Sequence, residues 1–247
     1  MHSTIIWILC VAVTLTLASR ATRINLEPIF EAIKSENIEN VRNLIRNQNL
    51  NVENRRGLNP LTAAVENGNE RIVSLLIQNG ANVNYSKAAL QTAVQNGNEK
   101  VVEILIQNQV NVNTVDSLGE TPLQFAAYKG YEKIANLLVK NGANINYADV
   151  GGMTALHQAA AYGREKIVDL LIKNGANVNA KNNYGKTCLH LASEHGHAKV
   201  VDMLRRNGAD INIVDNNGKT AIETAEELTQ NMGIPRRTKA QLIIPSS

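Results

Sequence analysis

The feature that most constrains this chain is its self-similarity at a fixed step. Four segments align: Thr121-Pro122-Leu123-Gln124, Thr154-Ala155-Leu156-His157, Thr187-Cys188-Leu189-His190 and Thr220-Ala221-Ile222-Glu223. Their third residues fall at 123, 156, 189 and 222, a step of 33 each time. Leu61 and Leu90 hold the same place upstream, with steps of 29 (61 to 90) and 33 (90 to 123). Glycines keep the beat at Gly68, Gly97, Gly130, Gly163 and Gly196, and again at Gly80, Gly142, Gly175 and Gly208. A period of this length marks a solenoid, in which each unit buries its apolar face only against its neighbours.

One unit, residues 119 to 147, is enough to derive the rest. Thr121 is an N-cap residue, and Pro122 suits the first helical position, where no amide hydrogen is missed. Leu123, Ala126 and Ala127 give a short helix with a small-residue face, and Gly130 ends it. Ile134, Leu137 and Leu138 then fall at i, i+3, i+4, the spacing of one helical face, which is expected to be buried. Asn141-Gly142 stops the second helix, and Ala143-Asn144-Ile145-Asn146 leads out to a turn. The same triplet recurs as Val41/Leu44/Ile45, Ile72/Leu75/Leu76, Val101/Ile104/Leu105, Ile167/Leu170/Leu171 and Val200/Met203/Leu204. Apolar residues are 44% of the 247 and aromatics only 4%, so the core is aliphatic and alanine-built.

The 33-residue period, the Thr-Pro-Leu-His-like helix start, the Asn-Gly-Ala-Asn run and the Asp116-to-Gly119 turn resemble the ankyrin repeat family over roughly residues 25 to 230. The resemblance implies an all-α solenoid of stacked helix-turn-helix units with short β-hairpin-like finger loops. About six repeats and a C-terminal half-repeat cap are expected in residues 19–233, with a loose tail over 234–247. The first unit is degenerate: Glu27-Pro28-Ile29 replaces Thr-Pro-Leu and the glycines are missing, which suits a polar cap. The third unit has lost four residues between Asn84 and Leu90, and Gln109 replaces its second glycine. Two readings of that shortened finger stay open, drift within a tolerant array and a locally reshaped binding edge.

Residues 1–18 read as a signal peptide. Ile5 to Ala18 is an uncharged apolar run of about 14 residues, short of the roughly 20 that span a bilayer, and Thr16-Leu17-Ala18 offers small residues for cleavage. No Lys or Arg precedes the run, so an uncleaved anchor is the alternative. Asn84-Tyr85-Ser86 fits the N-glycosylation pattern, which makes Asn84 an acceptor on a secretory route.

The chemistry of catalysis finds no foothold. His190, His195 and His197 lie near Cys188, yet without the paired spacing of a metal site; His157 and His190 fill the repeat's structural imidazole position. Cys188 takes the proline place of its unit and has no base beside it. No cofactor, metal or catalytic residue is expected. Lys and Arg (25) nearly cancel Asp and Glu (22), so no nucleic-acid footprint is present.

The expected activity is therefore protein binding. By the family resemblance, the residues just before each first glycine face a concave groove: Glu66, Asn67, Gln95, Asn96, Tyr128, Lys129, Ala161, Tyr162, Glu194 and His195. The finger tips add Arg55, Arg56, Ser117, Leu118, Glu120, Met153, Asn183, Tyr184 and Lys186. Tyr128, Tyr162 and Tyr184 are the anchors, because tyrosine gives a large contact area at low entropic cost, and together they are expected to form one patch. The chain reads as a monomeric, secreted protein that binds an extracellular or host protein and keeps no membrane association after leader removal, in the manner of venom or effector ankyrins. The alternative is a cytoplasmic inhibitor resembling those of Rel-type transcription factors.

Overall fold

The structure is a computed structural model, and it describes residues 27–46, 48–54, 56–85 and 88–231. The leader, the tail, Arg55 and the Ser86 of the glycosylation pattern lie outside the described residues. Thirteen helices are found among the described residues. The first unit contributes α1 (Glu27–Lys34) and α2 (Ile38–Leu44), the second α3 (Pro60–Asn67) and α4 (Glu70–Gln78), and the third α5 (Ala88–Gln95) and α6 (Glu99–Gln107). The fourth unit has α7 (Pro122–Lys129) and α8 (Glu132–Lys140), the fifth α9 (Ala155–Ala161) and α10 (Glu165–Lys173), and the sixth α11 (Cys188–Glu194) and α12 (Ala198–Arg206). A single helix, α13 (Ala221–Asn231), ends the stack. None of these is long and apolar enough to cross a membrane.

Odd-numbered helices pack in one layer and even-numbered helices in a second, each on its own partner and on the next unit. The local chemistry sets the boundaries. Thr121 accepts the Gln124 N–H and Asn59 the Thr62 N–H, so the inner helices start on capped ends. Asn37, Asn69 and Asn98 cap outer helices in the same way. One core runs the length of the stack, from Ile29 to Ala221.

The buried face of the outer helices differs from the expected triplet. Ile134, Ala135 and Leu138 are buried, while Leu137 is only half-buried; Leu44, Leu75, Ile104, Leu170 and Met203 share its position and its partial exposure. The outer helices of the second to sixth units bury their i, i+1, i+4 positions, a tight arc at 100° per residue, whereas in α2 the i+1 residue is the exposed Arg42. The i+3 residue falls at the edge of that arc, partly buried against the core.

The fingers are short, tight, hairpin-like turns without strands among the described residues. Those at Asn54, Asp116, Asp149, Asn182 and Asp215 are each closed by two backbone bonds, for example Asp116 N–H to Glu120 O and Gly119 N–H to Asp116 O, both at 3.1 Å. Among the described residues the only bridge of strand type pairs Val214 with Thr220.

Candidate functional site: a concave aromatic pad and its finger tips

The last turns of α7 and α9 bring two of the three anchor tyrosines together. Tyr128 and Tyr162 meet edge to face, with ring centroids 4.5 Å apart and planes at 75°. Phe125, one helical turn before Tyr128, extends the contact at 5.9 Å. The Lys129 ammonium lies 4.9 Å from the Tyr128 ring centre and 5.6 Å from that of Phe125, within cation–π range. Tyr162 is nonetheless 46% exposed. The result is a pre-formed pad with an apolar body, phenolic edges and one positive charge.

Tyr184 does not join the pad. It stands on the tip of the sixth unit's finger, 70% exposed. Its companions are Leu118 (60% exposed) and Val150 (75%) on the two fingers before it. The single three-tyrosine patch expected from the sequence is thus two surfaces, a pad on the inner helices and an apolar row along the finger tips. Phe125 and Val150 escaped the sequence reading. The i, i+3 spacing of Phe125 and Tyr128 was the available signal for the first; Val150 gave none beyond its place in an Asp-x-x-Gly turn.

The tips are rigidly held. Asp116 Oδ1 accepts the Leu118 and Glu120 N–H groups, both at 2.9 Å, and Asp149 Oδ1 accepts those of Gly151 (2.8 Å) and Met153 (2.9 Å). Asn182 Oδ1 does the same for Tyr184 and Lys186, both at 3.0 Å. Glu120 is half-buried, and burial first, then the Asp116 and Asp149 carboxylates, raise it above its ordinary carboxylate pKa. This stretch of the surface is therefore electronegative.

The remaining candidates divide by what their side chains already do. Arg56, Glu66, Gln95 and Lys129 are exposed. Asn67 donates to Ile33 O (3.1 Å) and Asn96 to Glu66 O (3.2 Å), so both tie their unit to the one before. His195 is exposed, donates through Nδ1 to Leu191 O (2.9 Å), and lies parallel to His197 with ring centres 6.2 Å apart. His197 in turn donates to Ala161 O (2.9 Å).

Asn84 belongs to a structural ladder. Asn51, Asn84, Asn113, Asn146 and Asn179 each donate to a carbonyl of the next unit and accept an N–H from it. For Asn84 the partners are Gln109 O (3.1 Å) and Asn111 N–H (2.7 Å). A glycan on its Nδ2 has to displace or share this clasp.

The imidazoles and the thiol serve the fold. His157 Nδ1 accepts Thr154 N–H (3.1 Å), and Nε2 reaches Lys186 O of the next finger (3.3 Å); His190 repeats this with Thr187 and Lys219. Cys188 is fully buried, and burial pushes its thiol far up, away from the reactive thiolate.

Stacked helix pairs, finger turns and a continuous inner surface define a helical-repeat scaffold. The family model described as Ankyrin repeats (3 copies) matches residues 12–87, 29–116, 84–149, 147–215 and 174–231, and this chain belongs to that family. Comparison with curated proteins gives no significant match. Ankyrin repeats are protein–protein interaction modules and are generally non-enzymatic.

Proposed function

We propose that the chain captures a protein partner on its concave side, with the Phe125–Tyr128–Tyr162–Lys129 pad as the anchor and the Leu118, Val150 and Tyr184 tips as the rim. The pad carries the proposal. Aromatic residues held in place before binding give large contact area without an ordering cost, and such groups dominate binding energies. The convex side offers less. A row of its charges is already paired from unit to unit, Lys133 with Glu99 (3.0 Å), Lys166 with Glu132 (2.9 Å) and Lys199 with Glu165 (3.5 Å). Cross-linking mass spectrometry on the full chain with its captured partner tests this. Cross-links radiating from Lys129 and Lys186 are expected; cross-links confined to Lys133, Lys166 and Lys199 contradict it.

The partner is proposed to be extracellular or a host protein, because the apolar run ending in Thr16-Leu17-Ala18 has the length of an export leader. N-terminal sequencing from a secretory host is expected to begin near Ser19, with a glycosidase-sensitive mass if Asn84 is modified. Intact Met1 on a cell-retained product returns the intracellular inhibitor reading.

A further inference from the structure

Polar bonds cross the seams of the stack unevenly. Between the second and third units Asn96 donates to Glu66 O (3.2 Å) and Asn98 to Gly68 O (3.1 Å). Between the fourth and fifth, Gln124 donates to Met153 O (2.6 Å) and Arg164 to Tyr128 O (3.2 Å). Between the fifth and sixth, His157 and His197 do the same for Lys186 O (3.3 Å) and Ala161 O (2.9 Å). The first and last seams are tied likewise, by Asn67 to Ile33 O and by His190 to Lys219 O, both at 3.1 Å. The seam between the third and fourth units has neither kind of tie among the described residues. Gln91 holds the place of Gln124 and His157 but reaches no partner. Tyr131 holds the place of Arg164 and His197 but only lays its ring against Gly97. The polar bonds left there are the ladder clasp of Asn113, with Gly142 O (3.0 Å) and Asn144 N–H (2.8 Å), and the exposed pair of Lys133 with Glu99.

The same seam carries an energetic fault. Gln91 Nε2, Gln91 Oε1 and the Thr114 hydroxyl are the buried side-chain polar atoms without a hydrogen-bond partner among the described residues, and all three belong to it. Gln91 stands on α5, and Thr114 directly follows the clasp residue Asn113. Each of these atoms has given up its bonds to water without replacing them, and parting the units gives the water back. The solvent-shared ion pair offsets little of that cost. Toward the finger side the two units already stand apart, across a cleft of about 330 Å³ between α5 and the Val115–Ser117 stretch. Apolar packing is what closes the rest, since the core runs through the seam.

We infer that this seam is a joint, at which the stack parts into an amino-terminal block of units one to three and a carboxy-terminal block from unit four onward before either block unfolds. In a solenoid each unit is held only by its neighbours, so cooperativity breaks where one interface is weaker than the rest. Phe125, Tyr128 and Tyr162 all lie on the carboxy-terminal block, whereas the groove candidates Glu66 and Gln95 lie on the other. Movement at the joint therefore changes the angle between the two halves of the concave side and leaves the aromatic pad intact. The inference stands on the bonding between units alone and does not depend on where a partner binds.

Hydrogen exchange of the full chain in rising sub-denaturing urea, read by mass spectrometry, tests the joint. The amides of α2 to α12 are expected to exchange as two sets with different urea dependence, divided between Gln107 and Pro122. Gln91→Leu removes the buried carboxamide and should bring the two sets together, slowing the faster one about tenfold. Asn113→Ala removes the remaining clasp and should drive them apart by a similar factor. Asn146→Ala removes the same clasp from the next seam, where Gln124 and Arg164 still tie the units, and should create no division there. A single cooperative set, a division at another seam, a Gln91→Leu variant that exchanges as fast as the parent, or a new division in Asn146→Ala overturns the joint.

Discussion

At the scale of single residues, the fold depends on imidazoles that must stay neutral. His157 Nδ1 receives a backbone N–H, so a proton there would set donor against donor. Burial accordingly lowers His157 and His190 below the ordinary 6.5. Below that pH the unfolded chain takes up protons that the native chain refuses, so this stabilisation is complete above about pH 6.5 and is lost as pH falls through the lower native values. The melting temperature is expected to drop between about pH 7.5 and pH 5, and the drop should shrink in His157→Gln with His190→Gln. Gln124 already performs the same bridging without a titrating group. Packing makes a second prediction at this scale. Leu138→Ala opens a cavity at a fully buried site and should cost about 2–5 kcal/mol. Leu137→Ala trims a half-buried flank and should cost about 1 kcal/mol. Urea denaturation of the two variants measures the difference.

At the scale of the helices and turns, backbone conformation is imposed by the repeat even where the sequence has drifted. Glu36 and Gln109 are the two non-glycine residues of positive φ among the described residues, at 54° and 62°, and both stand where other units carry glycine. Gly142, at the place of Gln109, has φ 85° and nothing within 4 Å of an added Cβ, so the preference for glycine there is conformational rather than steric. Gln109→Gly is therefore expected to raise stability by about 1 kcal/mol, read as a shift of the urea midpoint at unchanged slope. This scale also shows what a reader of the sequence can and cannot see. Helix starts at Thr121 and Thr154, ends at Gly130, and the turn at Asp116 are legible because their bonds close within five residues. The asparagine ladder, the His197 tie to Ala161 and the meeting of Tyr128 with Tyr162 join residues about 30 apart through the stacking of units. One helix's periodicity carries no trace of them. Nor did the lone period reveal that Leu137 sits on a flank, since that depends on which neighbour each outer helix presses against.

At the scale of the whole molecule, the stack makes stability a sum of neighbouring contacts and leaves its two sides with different surfaces. The convex side is a row of exposed ion pairs, each worth about 0–1 kcal/mol and satisfied within the chain. The concave side holds aromatic and apolar groups fixed in position, with Tyr162, Leu118, Val150 and Tyr184 exposed. Exposed substitutions ordinarily move folding stability by no more than about 0.5 kcal/mol, whereas truncating a binding hot spot costs about 2 kcal/mol or more, roughly thirtyfold in affinity. Binding and stability can therefore be separated in one experiment, titration calorimetry of the full chain and its Tyr128→Ala/Tyr162→Ala variant against the captured partner, with melting curves alongside. The concave-pad account predicts a dissociation constant at least thirtyfold weaker with a melting temperature that hardly moves; a double variant that binds as tightly as the parent would contradict it.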